Sequence, residues 1–274
     1  MDDPTNRGER MVPEMQRDDL IYLEHITRYL FAKQFVTQAR VLDLACGAGY
    51  GSSMLASANA THVHGIDVSP EAIAYAQKRY AHERISFQVG DADAIPLETG
   101  SIDVAVSFET IEHVHHPERF VKELVRVLKE NGLLILSTPH SPVAPEDNEH
   151  HLHLFTAAQL LSLLHDFPHI RTFYQNTVAA SYVVEENHLK EGAYPLHTEQ
   201  VSDKEPGQQQ YIIVVASRHA LPALQEIATL FTDRELQKGL ALERTHQLRA
   251  RTWQWKLLRM LYKTSNFFSS RKSG

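Results

Sequence analysis

The stretch VLDLACGAGYGSS, residues 41–53, decides the fold. Val41–Leu44 has the length and apolar content of a short buried strand, and the small residues that follow end this strand and open a helix predicted over 51–58. Gly47 and Gly49 have no side chains, so the backbone of the turn can come close to a ligand. The stretch therefore predicts a strand, a glycine-rich turn and a helix, the unit at which many α/β domains bind cofactors.

Strand and helix patterns alternate through the rest of residues 18–216, with short links between them. Asn131 and Gly132 are predicted to end one of the helices. The alternation is typical of an α/β fold with a doubly wound, mainly parallel, seven-stranded Rossmann-like sheet and helices on both faces. The further predicted strands are 62–67, 85–89, 102–108, 133–137, 170–174 and 211–216, and the further helices are 18–36, 70–81, 117–129 and 156–165.

Charge and polarity divide the chain into regions. We predict a domain over 1–219 with a polar, aperiodic insertion at 176–208, followed by a helical, basic, amphipathic tail at 220–274. Residues 244–274 hold eight Lys and Arg and no Asp or Glu, so the other residues carry a formal charge of −15, against −7 for the chain. The acidic character of this region, the acidic body, argues against an enzyme that binds long nucleic-acid backbones.

The basic tail has two interpretations. Aromatic side chains such as Trp253 and Trp255 lie beside a basic arc on a helical wheel, as in helices that lie on anionic membranes. The alternative is a helix that packs on its own domain or on a second subunit of a homo-oligomer. Short apolar runs and a charged N-terminus exclude a membrane span and a signal peptide, and Cys46 has no partner for a disulfide. We expect a cytoplasmic protein, or one peripheral to the inner face of the membrane.

The second predicted strand ends in Asp67, 20 residues after Gly47. A carboxylate at this place can accept both hydroxyls of a ribose. A dinucleotide would require G-x-G-x-x-G, but the position three after Gly49 is Ser52. Asp43, just before the turn, would repel a pyrophosphate and suits an ammonium group. These features predict a zwitterionic nucleoside ligand.

The sequence resembles the class I S-adenosylmethionine-dependent methyltransferases over about residues 8–216. VLDLACGAGYGS resembles their motif I, HGIDVSPEAIAYA their acidic second-strand motif, and RVLKENGLLILSTP their fifth-strand region. GDADAIPLETGSIDVAVSFETIEHV resembles the stretch between the third strand and the motif after the fourth. The resemblance implies a methyltransferase fold and S-adenosylmethionine as cofactor.

The resemblance also implies which residues contact that cofactor. Asp43, Gly47 and Gly49 would hold its methionine portion, and Asp67 its ribose. The remaining contacts would be Asp91 and the Ala92 backbone with the adenine, Phe108 near the sulfonium, and Arg10 with the carboxylate. The alternative for Asp91 and Phe108 is ordinary packing at strand ends.

Seven of the 17 histidines lie between His113 and His153, which suggests a site. Glu109, Glu112 and His113 are at i, i+3 and i+4, positions that share one face of a helical turn. Two carboxylates and an imidazole so close together favour a divalent cation between them, and oxygen-rich sets suit Mg²⁺ or Mn²⁺.

The E-x-x-E-H pattern resembles that of metal-dependent O-methyltransferases, in which a later histidine completes the site. Here that histidine would be His151, with His150 and His153 as alternatives. Without a metal, His113 would be the general base or have a structural role. His140 is a candidate second base. A cation lowers the pKa of a bound hydroxyl, and a nearby imidazole can take its proton.

The N-terminal GERMVPE, residues 8–14, with His25, Arg28 and Tyr29, resembles a methyltransferase subgroup associated with bacterial glycan biosynthesis. This resemblance implies O-methylation of a hydroxyl on a sugar or oligosaccharide. The alternatives are a quinone precursor or another small aromatic acceptor, and an inactive methyltransferase fold that serves as a scaffold. The acidic body disfavours RNA ribose as the acceptor.

Overall fold

The computed structural model describes residues 20–141, 150–177 and 210–225. The described residues from Glu24 onward belong to one compact unit, and residues 20–23 belong to another. The basic tail, most of the 176–208 insertion and the N-terminal segment with Arg10 lie outside the described residues. The predicted domain limits at 219 and 220 therefore stay a prediction.

A seven-stranded sheet forms the centre of the larger unit, in the order β3-β2-β1-β4-β5-β7-β6. Neighbours from β3 to β5 are parallel, and β7 runs antiparallel to both β5 and β6. The predicted mainly parallel Rossmann-like sheet is confirmed. The strands are β1 Arg40–Leu44, β2 His62–Asp67, β3 Ile85–Val89, β4 Ile102–Phe108, β5 Leu128–Pro139, β6 His169–Gln175 and β7 Tyr211–Ser217.

Helices cover both faces of the sheet. On one face, α4 and α5 contribute to a large apolar cluster that includes Ile66 of β2. On the other, α3 packs against Phe87, which pairs in register with Gly65, the residue before Ile66. Alternate residues of a strand point to opposite faces, so these are two separate cores. The helices are α1 Leu20–Ala32, α2 Tyr50–Ser57, α3 Pro70–Arg79, α4 Pro117–Val127 and α5 Ala157–Leu163, with a 3-10 turn at Lys33–Phe35.

Local sequence explains where two of these helices begin. Ser69 accepts a hydrogen bond from the Ala72 amide, and Pro70 occupies the first helical position of α3. Thr156 and Gln159 form a reciprocal capping box at the start of α5. Because both signals are local, the sequence predicts these helix starts well.

One predicted helix end is wrong. The α4 helix ends at Val127 and β5 begins at Leu128, so Asn131 and Gly132 lie inside the strand rather than at a helix end. Leu128 already pairs with Ile102 of β4, with an irregular register before the next pair. This pairing outweighs the local preference of Asn-Gly for a turn, as tertiary contacts often do.

The functional residues lie at one edge of the sheet. Strands β1, β2, β4 and β5 are parallel, so their last residues meet there. Gln175, at the end of β6, pairs with Tyr211, at the start of β7, which pairs in turn with Pro139, at the end of β5. In open α/β sheets, ligands bind beyond this carboxyl edge. Within the described residues, no helix has the length and apolar character needed to cross a membrane.

Candidate functional site

The glycine-rich turn has a left-handed backbone at three of its residues. The φ angles of Ala45, Gly47 and Gly49 are 60°, 54° and 85°. A Cβ on Gly49 would lie 2.6 Å from the Cβ of Ala76 and 2.9 Å from the ring of Phe87. Gly49 is thus required by its φ angle and by the close approach of the turn to α3 and β3.

Asp67 fastens the turn to the second strand. Its Oδ2 accepts a hydrogen bond of 2.9 Å from the Gly47 amide, and its Oδ1 accepts one of 2.9 Å from the Ser69 amide. The structure therefore brings together Gly47 and Asp67, two of the residues predicted to bind the cofactor.

Asp43 lies behind the turn, and its residue is only 1% exposed. Its Oδ2 accepts a 2.6 Å bond from the Ser52 hydroxyl, and its Oδ1 accepts a 3.0 Å bond from the hydroxyl of Tyr29 on α1. Burial raises the pKa of Asp43 to about 6, and the hydrogen bonds from Ser52 and Tyr29 oppose this rise. The Asp43 carboxylate is thus held in a fixed position by Ser52 and Tyr29.

The two predicted adenine residues follow β3. Asp91 is exposed, and its Oδ1 accepts a hydrogen bond from the Asp93 amide within the same short turn. Ala92 packs against the large apolar cluster. The Gly90 amide donates to the backbone carbonyl of Asp67, which places this turn beside the predicted ribose residue. Phe108, at the end of β4, is buried and stacks edge-to-face with Tyr29.

Three of the four predicted metal ligands converge. Glu112, His113 and His151 each offer a ligand atom, and these atoms lie within 4.8 Å of one another. The segment with His151 is held on the turn after β4 by backbone bonds, since the amides of Leu152 and His153 both donate to the Glu112 carbonyl. The structure therefore favours His151 over its two neighbours as the third member of the cluster.

Glu112 is the buried member of this cluster, with 1% of the residue exposed. Its Oε2 accepts a 3.0 Å bond from the Thr138 hydroxyl, whereas its buried Oε1 has no hydrogen-bond partner within the part of the chain that the structure describes. Burial raises the pKa of the Glu112 carboxyl well above its usual value, and the neighbouring Glu109 raises it further. A buried carboxylate oxygen without a donor is costly, and a positive ligand would offset that cost.

The hydrogen bonds of His113 define its tautomer. Its Nδ1 lies 2.9 Å from the carbonyl oxygen of His150, which can only accept, so Nδ1 carries the proton. Nε2 lies 3.9 Å from Oε1 of Glu112. In the neutral ring, Nε2 has a lone pair that can bind a metal or take a proton. Metal-binding histidines commonly donate their other N–H to a backbone carbonyl in this way.

Glu109 lies outside the cluster, contrary to the predicted four-residue set. Residues 109–113 do not form the expected helical turn, because Glu109 has a φ of 50°. Its Oε1 accepts a 2.6 Å bond from the Ser137 hydroxyl and lies 3.9 Å from the guanidinium of Arg28. The carboxylate is thus held by β5 and α1, and the candidate metal set has three residues.

His140, the predicted second base, follows β5 and is buried. Its amide donates to the carbonyl of Gln210, and its ring centroid lies 5.7 Å from that of Tyr174. His140 is thus at the carboxyl edge of the sheet but is not a member of the three-residue cluster.

Comparisons with known proteins agree with this geometry. Residues 42–136 match the family described as "Methyltransferase domain". A Mycobacterium tuberculosis protein named "Probable S-adenosylmethionine-dependent methyltransferase" is 34% identical over 167 residues, 59% of this chain and 60% of its own length. A Thermotoga maritima S-adenosylmethionine-dependent methyltransferase structure superposes with a TM-score of 0.52 at 19% identity, over 75% of this chain and 95% of its own, which supports the fold.

This chain contains a class I S-adenosylmethionine-dependent methyltransferase domain. Its relatives include both N- and O-methyltransferases. Norajmaline N-methyltransferase of Rauvolfia serpentina is 34% identical over 110 residues, 38% of each chain. Tocopherol O-methyltransferase of Arabidopsis thaliana is 39% identical over 103 residues, 36% of this chain and 30% of its own. The matched regions thus support the methyltransferase domain without defining its acceptor.

Arg28 and its neighbours form a second group of residues, to which no individual role was assigned from the sequence. Arg28 is buried, donates to Oε1 of Gln175, and lies 4.5 Å from the ring centre of Tyr211. Burial alone would lower the pKa of Arg28, but Glu109, Tyr211 and Glu24 raise it. The available signal was the spacing of Glu24 and Arg28, polar residues four apart in an amphipathic helix.

Proposed function

We propose that this protein is an S-adenosylmethionine-dependent O-methyltransferase that methylates a hydroxyl of a sugar or oligosaccharide with the help of a divalent cation. The observation that carries the proposal is the convergence of Glu112, His113 and His151 at the carboxyl edge of the sheet. Glu112 and His113 lie in the turn after β4, and Phe108, the residue expected near the sulfonium, is the last residue of that strand. An acceptor hydroxyl at the cluster would thus lie beside the cofactor's methyl group.

The donor set fits a divalent cation. Among the described residues, the buried Oε1 of Glu112 has no hydrogen-bond partner. Nδ1 of His113 donates to the His150 carbonyl, so Nε2 is the ring nitrogen that could bind a metal. One carboxylate and two imidazoles suit Mn²⁺ or Zn²⁺ as donors, and Mg²⁺ less well, because Mg²⁺ prefers oxygen ligands. When bound, the cation would lower the pKa of an acceptor hydroxyl and orient it.

The chain's own residues account for the remaining steps. Asp67 and the glycine turn would hold the nucleoside, and Asp43 would attract its ammonium group. The acceptor oxygen attacks the methyl carbon in line, the bond from carbon to sulfur breaks, and S-adenosylhomocysteine leaves. Proximity and orientation supply much of the acceleration.

The fate of the acceptor proton depends on the cation. If a cation were bound, Nε2 of His113 would be one of the groups that hold it, and His140 would be the candidate that takes the proton. Without a cation, Nε2 of His113 is the base, because its Nδ1 proton is already donated to the His150 carbonyl. Glu112, 3.9 Å from Nε2, would then stabilise the imidazolium that forms.

The test is methyl transfer to a panel of sugars, catechols and amines, after chelation with EDTA and again after adding back Mn²⁺, Mg²⁺ or Zn²⁺. We expect EDTA to abolish turnover on a sugar hydroxyl and one of the cations to restore it. Glu112→Ala and His113→Ala should abolish turnover in a folded protein. Full activity in EDTA would remove the metal from the proposal, and turnover on amines alone would exclude O-methylation.

The exposed His115 supplies the matched control for His113. It lies two residues further along, outside the three-residue cluster. We expect His115→Ala to leave turnover and its cation dependence unchanged. Equal losses in His113→Ala and His115→Ala would indicate a general effect of the turn rather than a role for the His113 imidazole.

A small aromatic acceptor is the second candidate function. It is supported by the 39% identity to tocopherol O-methyltransferase over the shared region. The same three-residue cluster could orient a phenol hydroxyl, so the acceptor panel decides between the two. An inactive scaffold is distinguished by calorimetric titration with the cofactor together with the acceptor panel: binding without turnover on any hydroxyl acceptor would favour the scaffold.

A further inference from the structure

Tyr29 of α1 fills the space that a side chain on Gly51 would need. A Cβ on Gly51 would lie 1.9 Å from Cζ of Tyr29 and 2.4 Å from its hydroxyl oxygen. Atoms cannot approach so closely, so an alanine at position 51 and this placement of Tyr29 exclude each other. The third glycine of the G-x-G-x-G pattern is therefore explained by Tyr29, with no ligand involved.

Because Gly51 has no side chain, the hydroxyl of Tyr29 can reach Asp43, the acidic residue just before the glycine turn. It donates a 3.0 Å hydrogen bond to Oδ1 of Asp43, whose other oxygen is held at 2.6 Å by the Ser52 hydroxyl. The Ser52 hydroxyl comes from the helix after the turn, whereas the Tyr29 hydroxyl comes from α1. Asp43 thus connects α1 with α2, the helix that follows the glycine turn, in the interior of the domain.

The ring of Tyr29 is held from two sides. It stacks edge-to-face on Tyr50, at 5.4 Å between centroids, and on Phe108, at 5.1 Å. Tyr50 is itself fixed by a 2.8 Å hydrogen bond between its hydroxyl and Nδ1 of His25, on the same helix as Tyr29. Packing therefore places the ring even without the hydroxyl, so phenylalanine at this position would remove one hydrogen bond and little else.

We propose that Tyr29 is a positioning residue for cofactor binding, because its hydroxyl holds the Asp43 carboxylate beneath the glycine turn. Gly51 has no side chain and so leaves the space that the Tyr29 ring occupies. The proposal rests on the proposed binding of S-adenosylmethionine. Tyr29 acts through Asp43: its donor fixes the orientation of a buried carboxylate and favours the charged form. That charge in turn attracts the ammonium group of the cofactor.

The test is calorimetric titration of the full chain with S-adenosylhomocysteine. We expect Tyr29→Phe to weaken binding by about tenfold, the effect of losing one hydrogen bond to a charged group. Tyr174→Phe, which removes a half-exposed hydroxyl on β6, is the matched control and should bind like wild type. Equal affinity of Tyr29→Phe and wild type would overturn the proposal while leaving the proposed function intact.

A steric cycle tests the part played by Gly51. Gly51→Ala should weaken binding at least as much as Tyr29→Phe, because the added methyl displaces the ring. In a Tyr29→Ala background the methyl has room, so Gly51→Ala should cause no further loss. Additive losses would show that Gly51 acts independently of Tyr29, and would overturn the proposal that Gly51 leaves room for the Tyr29 ring.

The pH dependence of the affinity for S-adenosylhomocysteine distinguishes a positioning role of Tyr29 from a merely structural role. Affinity in the wild type should fall as pH drops through the pKa of Asp43, about 6, because the protonated acid has no charge. The nearby Asp67 carboxylate and the Tyr50 hydroxyl face Asp43 and are unchanged in Tyr29→Phe. Loss of the Tyr29 donor should move the midpoint to higher pH, and an unmoved midpoint would contradict the proposal. Failure of the wild type to bind at any pH would instead reject the proposed function.

Discussion

Glu112→Gln should stabilise the metal-free protein while abolishing its activity. Glu112 is 1% exposed, one of its oxygens has no hydrogen-bond partner, and the nearby Glu109 repels its charge. Glutamine has the same shape, keeps an acceptor for the Thr138 hydroxyl, and places a neutral amide where the unpartnered oxygen was. The substitution therefore removes a buried charge without leaving a cavity.

The expected gain follows from the removal of a buried charge, because the glutamine amide would itself lack a partner at this place. A buried charged group costs more than a neutral polar group, so the free energy of unfolding should rise by about 1–3 kcal/mol at pH 7. Most substitutions of buried residues destabilise proteins, so a gain at this position would be distinctive. It would mark Glu112 as a residue that the protein retains for its chemistry.

The assay is urea denaturation in EDTA as a function of pH. Burial raises the pKa of Glu112 in the folded state, so the wild type bears its full penalty above that pKa. The penalty shrinks as pH falls through the folded pKa and vanishes below the unfolded value of about 4.3. The advantage of Glu112→Gln over wild type should therefore be largest above the folded pKa, shrink as pH falls through it, and be absent below about pH 4.3.

The exposed Glu98 offers a matched control, and Glu98→Gln should leave the free energy of unfolding within about 0.5 kcal/mol of wild type. A Glu112→Gln protein that is no more stable than wild type at pH 7 would refute the reasoning. It would mean that the carboxylate bears no penalty in the metal-free protein, and the argument for a positive ligand at Oε1 would fail.

Three further predictions concern other regions. Gly49→Ala should destabilise the fold by roughly 2–4 kcal/mol through backbone strain and crowding, measured by thermal unfolding. Gly100→Ala, which has a positive φ but open space around it, should cost only about 1 kcal/mol. Arg28→Met should cost about 3 kcal/mol in denaturant titration, because it leaves the Glu109 carboxylate unpaired, and an unchanged midpoint would disprove the pairing. Removing residues 244–274 should reduce sedimentation with anionic liposomes if the tail contacts membranes, and equal sedimentation would exclude that role.

The sequence predicted the parts of the fold that depend on local signals. The strand, glycine turn and helix at 41–57 and the caps at Ser69 and Thr156 are encoded within a few residues. The end of α4 was wrong because it depends on pairing between β4 and β5, which is a long-range contact. No local pattern at Asn131 and Gly132 reports that pairing.

The candidate site was predicted only in part, again because local sequence patterns do not report every feature of the folded backbone. Glu112, His113 and His151 were selected by spacing and residue type, and the structure brings them together. Glu109 was assigned to the same set on the assumption of a helical turn, but its left-handed backbone turns it toward Ser137 and Arg28. No pattern in the sequence predicts the positive φ of Glu109.

The most direct test of the central claim is a titration of the purified full chain with S-adenosylhomocysteine, followed in wild type and in Asp67→Asn. We expect saturable binding in the wild type that the substitution strongly weakens, since Asp67 accepts the hydrogen bond of the Gly47 amide and is the residue proposed to bind the ribose. Absence of binding in the wild type, or binding that is indifferent to Asp67→Asn, would contradict the claim that this crevice holds the nucleoside.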